Sequence, residues 1–111
     1  MFVITQSDSY LWPVKVETPV DGGKWSTETF DARFKRLPQS RIEEVRKNAA
    51  TTEDDAFARE VLVGWEGIND ADGQAVPYSE VTRDRLLDVI GFAKVVVAAY
   101  FESLTGAKRK N

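Results

Sequence analysis

The hydrophobic period of this chain changes once, at Pro38, and that change limits the fold more than any other feature. Before it, Trp12, Val14 and Val16 recur at every second residue, and so do Phe30, Ala32 and Phe34, with polar residues between them. Alternation of this kind puts one side of each run in a core and the other in water, as a half-buried antiparallel pair requires. Between the runs, Val20-Asp21-Gly22-Gly23-Lys24 is a turn signal, so the two read as a hairpin. Pro13 has no N–H to give to a ladder, which places the first strand at an edge or gives it a bulge. Residues 2–5 read as a short third strand.

After Pro38 the period becomes helical. Ser40 with Glu43 three residues on makes a capping box for a helix that ends near Ala50. Thr52 is expected to cap a second helix, with Glu53, Asp54 and Asp55 at the positive end of its dipole. Phe57, Val61 and Trp65, spaced by four, mark its apolar face, and Gly64 and Gly67 end it. Ser79 opens a third helix whose buried side is Val81, Leu86, Leu87 and Ile90. Gly91 then breaks the chain before a last helix over residues 92–104, which Gly106 caps.

That last helix differs from the others. Of its thirteen residues only Lys94, Glu102 and Ser103 are polar, so apolar groups cover nearly its whole circumference. It is either a central core helix or one that buries a second face against another chain. The expected fold is α+β, an N-terminal antiparallel β-hairpin followed by a bundle of about four helices. It forms a single domain over residues 1–111, with a hairpin region 1–36, a helical region 37–106 and a frayed basic tail 107–111.

The composition excludes much chemistry. There is no cysteine and no histidine, which removes disulfides, thiolate catalysis, the usual structural zinc and the imidazole on which most acid–base mechanisms rely. The chain suits a reducing cytoplasm. With a net charge of −3 and 30% charged residues, the signs are interspersed and no global field attracts nucleic acid or an anionic membrane. The start "MFVITQSDSY" has neither the basic nor the apolar region of a signal peptide, and the longest apolar run, residues 95–101, falls far short of the ~20 residues that span a bilayer.

Candidate sites fare little better. Asp54 and Asp55 are adjacent, as are Glu43 and Glu44, but neighbours on a helix point ~100° apart and do not converge on a substrate. Gly64, Gly67 and Gly73 match neither phosphate-binding spacing. "NDADG" looks like a calcium loop, yet with Gly73 as the sixth position the first ligand would be Ile68 and the twelfth Ser79. Asp72-Gly73 is better read as a turn. The expectation is of no enzyme, no catalytic residue, no metal and no cofactor.

A nucleic-acid partner has one foothold, "FDARFKRLPQSRIEEVRK", where Arg33, Lys35, Arg36, Arg41, Arg46 and Lys47 lie close together. Arg33 and Lys35 are also simply the wet face of a strand whose other face is Phe30, Ala32 and Phe34, and the acidic total favours that reading. Trp12 is in register with the core. Trp25 is out of phase with Phe30 and is either an exposed partner-binding anchor or a cover for the end of the hairpin.

Physical reading alone stops at a soluble α+β binding module. The second half, however, resembles the tail assembly chaperones of long-tailed phages, on an ordered set of hydrophobic, turn and capping residues over about residues 37–106. A helix runs into Val63-Gly64-Trp65-Glu66-Gly67-Ile68, then come Asp72-Gly73 in a loop, Val76-Pro77-Tyr78-Ser79, a short amphipathic helix and a closing apolar one with Tyr100. The hairpin carries no matching signature. In this stretch the indole of Trp65 is expected to pack on Pro77 and Tyr78, the Asp72-Gly73 turn to reverse the chain, and Ser79 to start the next helix.

The resemblance implies a non-enzymatic, phage- or prophage-encoded protein of the bacterial host cytoplasm. Such a protein binds the tape-measure protein, keeps it soluble, helps recruit tail-tube subunits and is absent from the mature virion. Family members are often also made as a longer product by ribosomal frameshifting near the end of the gene, for which the lysine codons of "AKRKN" are a plausible place. The surface expected to capture apolar helices, on a homo-oligomer, is Val95, Val97, Tyr100 and Phe101 of the last helix. Two other classes compete: a structural component of the tail, and a small nucleic-acid-binding regulator that uses the basic strand.

Overall fold

A computed structural model describes residues 7–50 and 53–105. Residues 2–5, Thr52, Gly106 and the tail 107–111, each assigned a role above, lie outside the described residues.

The alternating runs form β1 (Ser9–Val20) and β2 (Lys24–Lys35), antiparallel and in unbroken register from Ser9↔Lys35 to Val20↔Lys24. Asp21-Gly22-Gly23 closes the pair, with both glycines at positive φ, 86° and 72°, where side-chain-bearing residues are strained. Cross-strand partners share a face, so Trp12 with Ala32, and Val14 with Phe30, point to one side. That side is the core: Val14, Phe30, Ala32 and Phe34 are buried, and Tyr10, Trp12 and Val16 pack against them half-buried.

The expected hairpin followed by a bundle of about four helices is overturned at residues 62–66. These are a strand, β3 (Leu62–Glu66), antiparallel to the far edge of β2, giving a three-stranded sheet in the order β1-β2-β3. The architecture remains α+β, but its core is a sheet covered by helices on one face. The helix before β3, α2 (Asp54–Val61), ends eight residues in, with Leu62 already extended at φ −88°, ψ 103°. Phe57 and Val61 are on its buried side as spaced, whereas Trp65, four residues further on, belongs to the strand. Gly64 therefore ends no helix. It sits opposite Arg33, where a Cβ would come within 3.2 Å of the Arg33 Cβ, so the missing side chain lets the arginine stem lie across the strand. Between Arg33 and Phe34 the register shifts, and Val63 is the extra residue of a bulge.

Two helical expectations also change. In α1 (Gln39–Lys47) the N-cap is Pro38, with no side-chain cap, so Ser40 is already inside the helix and Glu43 accepts from Gln39 Nε2 at 3.2 Å instead of closing a capping box. Pro38 supplies the extended entry, and its carbonyl accepts from Arg41 and Ile42. In α3 (Glu80–Leu87), Leu87 is buried and Leu86 half-buried, but Val81 is 66% and Ile90 100% exposed. The helix stops at Leu87, one turn short of what a face reaching Ile90 needs.

The closing helix α4 (Phe92–Thr105) lies over the sheet beside α2 and touches β1. Its rings build the centre: Phe92 stacks on Phe30 at 5.8 Å between centroids, and Tyr100 meets Phe34 and Phe57 edge-on at 5.2 and 5.6 Å. The link from α1 to α2 is a two-pronged ion pair, Arg41 Nε and Nη2 donating to the Glu60 carboxylate at 2.9 and 2.6 Å. This arginine holds the Glu60 carboxyl below the usual carboxylate range. Among the described residues no helix is long and apolar enough to cross a membrane.

Candidate functional site

The corner between β3 and α3 is built from polar bonds as much as from packing. Trp65 is buried, its ring edge-on to Tyr78 at 5.0 Å, and its Nε1–H donates to the Val76 carbonyl at 2.7 Å. Tyr78 in turn donates its hydroxyl to the Leu62 carbonyl at 3.0 Å, tying the segment back to the start of β3. Pro77 is exposed and contributes its carbonyl, which accepts from the Thr82 hydroxyl at 3.1 Å. Ser79 caps α3 reciprocally with Thr82: the Thr82 amide donates to Ser79 Oγ at 3.1 Å, and the Ser79 amide to Thr82 Oγ1 at 2.8 Å.

Within the loop, the organising carboxylate is Asp70. Its Oδ1 accepts the amides of Asp72 and Gln74, both at 2.9 Å, while its backbone pairs with Gln74 and Gly73. Gly73 takes φ 81°, and Asn69 bridges to Ala75 across the turn. The signal for Asp70 was present in the sequence as an aspartate two residues ahead of Asp-Gly, the spacing of an Asx turn. Asp70 is thus employed in closing the turn, and the first and twelfth positions of a calcium loop fall on Ile68 and Ser79, which supply no carboxylate. Millimolar calcium should therefore leave the melting temperature where equal magnesium leaves it, and a calcium-selective rise in a thermal melt would contradict this account of the loop.

The four α4 residues expected to form one capture surface are divided by the structure. Tyr100 is fully buried (0% exposed) and donates its hydroxyl to the Lys35 carbonyl at 3.1 Å, so it belongs to the core and offers no free surface. Val95, Val97 and Phe101 are half-buried and fall on opposite flanks of the helix, as a 3.6-residue period requires. Each flank borders a groove.

On one flank Val95, Ala98, Ala99 and Glu102, together with Trp12 and Trp25, line a groove of about 640 Å³. It follows β1, an edge of the sheet among the described residues, and Lys15 and Glu17 are part of its lining. Trp25, 65% exposed, thus joins the same groove as Val95, a proximity that no sequence spacing could give. On the other flank a groove of about 400 Å³ is lined by Val97 and Phe101 with Val45, Ala49 and Phe57. Arg46 and Asp54 complete its wall, and the Arg46 guanidinium lies over the Phe101 ring at 5.6 Å.

The family model described as YdaY prophage protein matches residues 27–110. The chain belongs to the YdaY prophage protein family. No curated protein and no solved structure matches the chain. The YdaY match takes in most of β2, all of β3 and the four helices, and with them the whole lining of the smaller groove. It begins two residues after Trp25, so β1 and the tip of the hairpin lie outside it. Membership makes this a phage or prophage protein.

Proposed function

We propose that this prophage protein is a tail assembly chaperone, a binding protein without enzymatic activity. It captures apolar helical segments of the tape-measure protein in the host cytoplasm, helps bring in tail-tube subunits, works as a homo-oligomer and is left out of the finished virion. The observation that carries the reading is the groove between β1 and α4. An apolar helix lays its i, i+3, i+4 and i+7 side chains into such a trough, and Trp12, Val95 and Ala98 give it apolar walls, with Lys15, Glu17 and Glu102 as the charged part of the lining. The prophage family supports a phage-encoded protein, and the tape-measure partner is what the resemblance over residues 37–106 implies.

A regulator that binds nucleic acid through the basic strand has weaker support. Arg33 donates to Ser9 Oγ at 3.1 Å and lies across Gly64, and Arg36 donates to the Ser7 carbonyl at 2.8 Å and stacks on Tyr10, so two of its cations are already engaged. Ala98→Glu tests the groove directly. The residue is exposed on α4, so the variant should fold with stability changed by less than about 0.5 kcal/mol. A carboxylate set in the apolar trough should weaken capture at least ~10-fold in co-expression pull-downs with the tape-measure protein. A wild type that ignores the tape-measure protein would refute the proposal.

A further inference from the structure

The hairpin is longer than the sheet it belongs to. β3 pairs with β2 only at residues 31–34, and across residues 17–29 every side chain is exposed except the half-buried Ser26. A two-stranded ribbon is marginal in water unless a layer covers it, and among the described residues this one stays exposed and carries an exposed indole, Trp25, cross-strand from Pro19 and next to Val20, 48% exposed. The tip also carries one acid and one base, Asp21 and Lys24.

We infer that the hairpin tip of one copy docks in the smaller groove of the next, seating Trp25 between Val97 and Phe101 and joining copies head to tail. Three observations point to a second copy as the occupant. The groove, about 400 Å³ with aromatic walls from Phe57 and Phe101, is of a size that takes an indole, and Arg46 already lies over a ring there. Its charges, Arg46 and Asp54, complement Asp21 and Lys24 of the tip, so each finds an opposite partner. A chain cannot satisfy its own groove, because Trp25 borders the Val95 flank of α4 and the groove lies on the Val97 flank. The contact joins two different patches, so it propagates into a ring or a filament. It stands whether or not the tape-measure protein is the client of the larger groove.

Sedimentation velocity and light scattering on the full chain, up to about 100 µM, test this. The wild type should form assemblies larger than a dimer that grow with concentration. Trp25→Ser, on the arm, and Ala49→Arg, at an exposed position in the groove, should each be monomeric with unchanged far-UV circular dichroism. Mixed together they should give a one-to-one heterodimer, since each variant keeps the half that the other has lost. A monomeric wild type, an assembly indifferent to Ala49→Arg, or a mixture that stays monomeric would each overturn the inference. So would a monomer whose smaller groove instead binds a tape-measure segment in an Ala49-dependent way. The Ala98→Glu pull-down reads the other groove, so either idea can fail alone.

Discussion

Trp65→Ala is expected to cost about 3 to 5 kcal/mol, a large share of the about 5 to 15 kcal/mol that holds a domain of this size together. The loss has three parts. The indole is buried against Tyr78, so its removal leaves a cavity under the corner. The Val76 carbonyl loses its donor at 2.7 Å. Tyr78, which ties the loop to β3 through the Leu62 carbonyl, loses the ring that orients it. Urea denaturation monitored by far-UV circular dichroism should show a lower midpoint with an unchanged slope. Trp65→Phe keeps one six-membered ring against Tyr78 while losing the N–H and the rest of the indole, so it should cost less than alanine, about 1 to 3 kcal/mol. An alanine variant within about 1 kcal/mol of the wild type would mean that the corner is held by the Asp70 turn and the Ser79 cap without the indole.

The same tryptophan shows where the sequence could be read and where it could not. Side chains alternate strictly across a strand, so Trp12, Val14, Val16 and Phe30, Ala32, Phe34 report a face however the rest of the chain folds, and two glycines between them mark the reversal. Trp65 is ambiguous by arithmetic. It lies four residues after Val61 and eight after Phe57, so it extends a helical stripe on paper, while Leu62-Val63-Gly64-Trp65 is equally a short run of strand formers around a glycine. Pairing with β2 decides between them, and that is a long-range event which no local window contains. The missed third strand follows from this.

The grooves were hidden for a related reason. An apolar helix has no marked face in its sequence, so residues 92–104 state a surplus of hydrophobic surface without saying which side faces the core. The core takes Phe92, Ala93, Val96, Ala99 and Tyr100, leaving Val95 and Val97 as the two shoulders. Trp25 reaches one shoulder through the length of the hairpin, a distance fixed by the register of β1 on β2. Tyrosine chemistry offered one clue: a phenol hydroxyl in an otherwise apolar segment needs a partner wherever it is buried. Tyr100 finds one on β2, at the Lys35 carbonyl.

Tyr100→Glu should leave no folded protein at neutral pH, in contrast to Ala98→Glu two positions before it. The position is fully buried between Phe34 and Phe57, so a carboxylate there loses its water, on top of the two lost ring contacts. Tyr100→Phe tests the same site gently, because it keeps the ring and removes the bond to Lys35, at a cost of about 1 kcal/mol. It also carries a pH signature. Burial pushes the Tyr100 phenol up from 10 to about 12, so above pH 10 the unfolded chain gives up this proton while the folded chain still holds it. The unfolded state then binds fewer protons, and the stability contributed by Tyr100 declines as pH rises from 10 toward 12. Urea midpoints at about pH 9 and about pH 11 should therefore fall further for the wild type than for Tyr100→Phe. Parallel declines would show that the phenol is reached by solvent in the folded chain, and with it that α4 is not seated on the sheet as the two grooves require.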